Sequence, residues 1–103
     1  MSSAAQRAHA ARRALQHELL LEHHRLSLEA AYVEYDDPVA SAVLRRRAWV
    51  WRTTALRIPD VPTSRYPRWL LDHLAGYCGA PVVGGEYVRV RDLIEERSRS
   101  PEM

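Results

Sequence analysis

The chain has 103 residues, 47% of them apolar, and a formal net charge of +2. That length and apolar share fit one globular domain with one modest core, leave little room for a separately built deep active site, and exclude a disordered chain. All 15 basic residues are Arg, and Lys, Asn and Phe are absent. Lys, Asn and Phe use AT-rich codons, so Arg in place of Lys reads as a GC-rich gene and carries no function by itself. No apolar run approaches the roughly 20 residues that a spanning helix needs, so no membrane contact is expected. Residues 2–17 lack the apolar stretch of a secretory signal. They carry Arg7, Arg12 and Arg13 without an acid, a superficial transit-peptide likeness that an Ala-rich first helix explains better. The single cysteine, Cys78, excludes an internal disulfide and a Cys-based zinc site, and a reducing, cytoplasmic setting follows by default.

Residues 3–35 predict one long helix, rich in Ala, Leu, Arg, Glu and Gln and free of Gly and Pro. Two apolar stripes run along it. One holds Ala4, Ala8, Ala11, Leu15, Leu19, Leu26, Ala30 and Val33; the other holds Ala10, Ala14, Leu21, Leu28, Tyr32 and Tyr35. They lie about 130° apart around the helix. A surface helix needs one such stripe. Two stripes mean either that one packs on the chain's own body and the other on a partner, or that the helix is sandwiched inside its own bundle. On the first reading Leu21, Leu28, Tyr32 and Tyr35 are the self-association residues.

Asp36-Asp37-Pro38 breaks the pattern, and Asp37 caps a new helix with Pro38 in its first turn. That second helix covers 38–57 and turns Ala40, Leu44, Ala48, Trp51 and Ala55 to the core. Residues 59–64 form a stiff linker. A third helix over 65–78 buries Trp69, Leu70, Leu74 and Tyr77 and ends at Gly79. Residues 81–90 then change period: β-favouring runs flank Gly84-Gly85, the signal of a hairpin. Asp92 caps a last short helix over 93–97, so 81–97 reads as hairpin plus helical turn. The fold expected is therefore mainly α: a small helical bundle with a long N-terminal helix and a short C-terminal β-hairpin.

The charge is partitioned. Residues 38–70 hold seven Arg and one Asp, between a neutral first third and an acidic last third. Within the basic block, Arg45, Trp49 and Arg52 share one helical face, turned away from Leu44 and Trp51. Three uses are open: a phosphate backbone held by Arg with a base stacked on Trp, a protein-interface hot spot, or a solvated face with a local cation–π pair. The candidate partner or nucleic-acid residues are Arg45, Arg46, Trp49, Arg52, Arg65 and Arg68.

Catalytic chemistry is not found. His17-Glu18 and His23-His24 resemble a zinc-protease helix only at a glance, because the position four after His17 is Leu21. His17 and His24 share a face but sit two turns apart, too far to grip one ion, and solvated His is the simpler reading. His73 and Cys78 face different sides of the third helix. No metal, cofactor or small-molecule substrate is expected. The sequence points to a non-enzymatic binding module, an adaptor, regulatory or assembly protein that contacts another protein or itself, with a nucleic-acid-binding regulator using residues 44–68 as the alternative.

Overall fold

A computed structural model of the chain describes residues 3–75 and 84–99. Among the described residues there are four helices: α1 (Ala4–Val33), α2 (Pro38–Ala55), α3 (Tyr66–Ala75) and α4 (Gly84–Arg99), with a short 3₁₀ turn, Thr63–Arg65, leading into α3. The body is long and thin, 53 × 27 × 18 Å, because α1 alone spans about 45 Å at 1.5 Å per residue.

α1 begins with a reciprocal cap. Gln6 N–H donates to the Ser3 hydroxyl, and Ser3 N–H donates to the Gln6 side-chain carbonyl. Two otherwise unpaired amides are thereby satisfied. The helix stops two residues before the expected boundary. Asp37 caps α2 by accepting from Ala40 N–H at 3.0 Å, with Pro38 in the first turn, as its fixed φ favours. The chain reverses there, so α1 and α2 form an antiparallel hairpin.

Two kinds of contact hold that hairpin. Leu15, Leu19, Leu26 and Ala30 of α1 are buried together with Leu44, Ala48, Trp51 and Ala55 of α2. Burying one such Leu is worth about 2 kcal/mol. Beside this seam lies a row of polar hooks. Arg12 donates to Ile58 C=O at 2.8 Å, Gln16 to Ala55 C=O at 3.1 Å, and the Ser41 hydroxyl to Ala30 C=O at 2.8 Å. His23 Nδ1 lies 3.0 Å from Ala48 C=O and donates to it. The two residue numbers in each pair add to the same value to within one, so all four hooks specify one antiparallel register. His23 is half-buried in this role rather than solvated as expected; His17 and His24 are exposed.

The expected C-terminal hairpin is corrected. Residues 84–90 are the first turns of α4, and no strand occurs among the described residues; residues 81–83 lie outside them. β-propensity is a preference for a half-buried surface, and context overrides it. Here Glu86, Val90 and Ile94 recur every four residues on one helical face, and all three are buried. That face packs on the bundle only if the segment is helical. Asp92 is accordingly an exposed residue inside α4 and not a cap. The third helix is shorter than expected over the described residues, since 65 belongs to the preceding turn; the expected burial of Tyr77 and the Gly79 cap fall outside the described residues. Leu70 is buried as expected, and Trp69 is half-buried.

Candidate functional site

The two stripes of α1 have different fates. The first faces α2 and the core. The second faces away from the body: Leu21 and Leu28 are more than half exposed, and Tyr32 and Tyr35 are 89% and 96% exposed. The expectation of a helix sandwiched in its own bundle therefore fails for this stripe. Four large apolar side chains in open water on one line exceed the scattered apolar exposure of an ordinary surface. Glu22, Arg25 and Glu29 flank the stripe as helix-surface pairs, with Arg25 bridging both acids. The Arg25 hydrogen bond is the main reason the Glu22 carboxyl is held down at about 2; burial opposes it, and Arg89 reinforces it.

α2 carries the second candidate surface. Arg45, Arg46, Trp49 and Arg52 are exposed on its outer side, with Trp49 at 45%. Arg45 lies 3.5 Å from Glu34, across the turn that joins α1 to α2. Arg65 and Arg68 are not on this face. They line a separate open groove with Trp69 and Asp72, to which α2 contributes no residue. The six sequence-selected residues thus form two sites and not one. His73, at the same end of the molecule, stacks on Trp69 with ring centroids 5.3 Å apart. Burial, helped by the Arg57 charge, holds its imidazole below the usual range.

A third cluster has no counterpart in the sequence reading. Glu86, 5% exposed, accepts from Arg47 Nε, from the Trp51 indole N–H at 2.7 Å and from Arg89 at 3.0 Å. Arg89 also donates to Glu22 at 2.7 Å, and its guanidinium lies 5.2 Å from the centre of the Trp51 ring. Burial pushes the Glu86 carboxyl up, but the hydrogen bonds from Trp51 and Arg47 and the charges of Arg89 and Arg47 outweigh it. The carboxyl therefore stays ionised below the ordinary range. About two turns beyond Arg89 on α4, Arg97 grips both oxygens of Glu18. Glu18 and Glu22, a like-charged pair in the sequence, are in fact the two acids by which α1 holds α4. The readable signal was helical spacing: Glu86 to Arg89 at three residues, and Glu86, Val90 and Ile94 at four. The β-hairpin reading hid it.

This cluster changes the meaning of the basic block. Arg47 is consumed by Glu86 and Arg45 is shared with Glu34, whereas Arg46, Arg52, Arg57, Arg65 and Arg68 make no ion pair among the described residues. No group of three or more His, Cys, Asp or Glu that could hold a metal occurs among the described residues. No helix among them is long and apolar enough to cross a membrane. No family model matches the chain, and neither the curated proteins nor the solved structures contain a match.

Proposed function

We propose that this protein is a non-enzymatic helical binding module that acts through protein–protein contacts and associates with itself through the outer face of α1. One observation carries the reading: the exposed line of Leu21, Leu28 and Tyr32 on α1, continued by Tyr35 just past its end, on a helix whose other stripe already fills the core. Covering that line removes apolar surface from water without disturbing the fold. Sedimentation or light scattering on the full chain tests it. An oligomer that L21E/L28E converts to a folded monomer supports the reading; a wild-type chain that stays monomeric at high concentration retires self-association.

A nucleic-acid-binding regulator is the second reading. It rests on the arginines without an ion pair among the described residues, Arg46 and Arg52 beside Trp49 on α2, and Arg65 and Arg68 in the groove by Trp69. Binding to generic DNA and RNA across a salt series tests it, because an electrostatic binder weakens steeply as counterions are added. Absence of binding at low salt ends it.

A further inference from the structure

The outer face of α1 has an internal order that the association reading does not use. Ala14, His17, Leu21, His24, Leu28 and Ala31 recur at alternating spacings of three and four, and all six are exposed. This is the seven-residue repeat of a coiled-coil seam. Ala10 extends it at one end and Tyr35, just past the helix, at the other. The buried face of α1 lies on the opposite side, so the seam is accessible along its whole length.

We infer that this seam pairs antiparallel with the same seam of a second copy, in the register that sets Leu21 against His24 and Leu28 against His17, and that mild acid dissociates the pair. The inference rests on the self-association reading above and adds its geometry and its control.

Charge selects the direction. Residues 4–17 of α1 carry Arg7, Arg12 and Arg13 and no acid, whereas residues 29–37 carry Glu29, Glu34, Asp36 and Asp37 and no base. A parallel pair places Arg7 of one copy beside Arg7 of the other and gathers the acids together at one end. An antiparallel pair sets the basic end of each copy on the acidic end of the other, and the two helix dipoles oppose. It also has a two-fold axis, so each contact is made twice.

Charge and size select the register. Setting Leu21 opposite His24 places Ala14 opposite Ala31 and Ala10 opposite Tyr35, small side chains against small or small against large. On the flanks, Arg13 then meets Glu34 of the second copy, and Glu18 meets its Arg25. Arg13 is exposed and makes no ion pair among the described residues. Glu34 is exposed, with Arg45 at 3.5 Å. Glu18 and Arg25 join pairs they already make with Arg97, Glu22 and Glu29. Every charged flank position in this register faces its opposite.

The histidines supply the control. An imidazole ordinarily titrates near 6.5, and a leucine environment penalises its charged form. The groups around the two rings do not relieve that penalty evenly. Arg13 stands one turn before His17 on its own helix and repels a protonated ring. Glu18 and Arg25 of both copies flank the seam with opposite signs. The dimer thus holds fewer protons than two monomers near pH 6, and by linkage acid favours the monomers.

Sedimentation equilibrium on the full chain at about pH 7.5 and about pH 5.5 reads this directly. The expected result is a dimer at the higher pH with a dissociation constant raised roughly tenfold or more at the lower, and a H17Q/H24Q variant with nearly the same constant at both. His9, His23 and His73 remain in that variant, so pH dependence that survives there overturns the histidine control. A wild-type dimer equally tight at both pH values overturns it too, while leaving self-association intact. A monomer at pH 7.5 removes the self-association reading itself. Direction is read by disulfide trapping in a C78S background. A14C mixed with A31C cross-links, and A14C alone does not; cross-linking of A14C alone overturns the antiparallel register. Far-ultraviolet circular dichroism establishes that each variant remains folded.

Discussion

Between α1 and α2 the contacts are apolar, with hydrogen bonds to backbone carbonyls along one edge. Between α4 and that hairpin they are largely ionic: Glu86 with Arg47, Glu22 with Arg89, Glu18 with Arg97. α4 does bury Val90 and Ile94, yet most of its surface is polar. Apolar burial depends weakly on salt and acid, whereas exposed ion pairs are screened by one and neutralised by the other. The difference makes α4 the separable part of the molecule and the α1–α2 hairpin its frame. Both candidate surfaces on the frame, the outer seam of α1 and the outer side of α2, are independent of α4.

The largest blow to this contrast falls on the frame. Leu26 is fully buried, and Leu26→Ala is expected to cost about 3 kcal/mol. Denaturant unfolding should show the whole molecule weakened, α4 included, since α4 packs on the hairpin as well as on α3 and the turn before it. Glu86→Ala comes next, at about 2 kcal/mol for lost hydrogen bonds to a charged group. Its effect should be local: hydrogen exchange rises in α4 while α1 amides keep their protection. A uniform rise would mean that the two regions form one cooperative unit.

Acid approaches the same network without a mutation. Glu22 is lowered from 4.5 to about 2, and Glu86 is also lowered. A carboxyl lowered in the folded state contributes stability above its unfolded value and loses it as pH falls through the folded one. Protection of α4 should therefore fade between about 4.5 and about 2, ahead of the hairpin. That window lies below the imidazole range, so it is distinct from dissociation of the α1 pair. Gln16→Ala removes one hook and should cost about 1 kcal/mol, felt in α2 near Ala55. Molar salt has the smallest effect, a few tenths of a kcal/mol from exposed pairs such as Arg97 with Glu18, read as faster exchange in α4 alone.

The sequence was most legible where one period dominates. Both stripes of α1, the Asp37 cap and the core face of α2 follow from helical spacing and cap chemistry, and these place Leu21, Leu28, Tyr32, Tyr35 and Trp49 on outer faces. It was misleading at 84–90, where Tyr87, Val88 and Val90 favour strand locally and Gly84-Gly85 favours a turn. The four-residue spacing of Glu86, Val90 and Ile94 competes with that local preference, and it wins only when another surface is present to receive the buried face.

The amino-acid sequence by itself determined the helical frame, the second apolar stripe and the surplus of Arg between residues 38 and 70. Local propensity and periodicity act within a few turns of one helix, so they are readable without knowing the neighbours. Only the tertiary structure decided which arginines of that surplus make no ion pair among the described residues. Arg47 meets Glu86 across 39 positions and Arg97 meets Glu18 across 79, and no local rule encodes pairs that distant. The excess of Arg is in part a set of partners for acids elsewhere in the chain, and what remains on α2 and beside Trp69 makes no ion pair among the described residues.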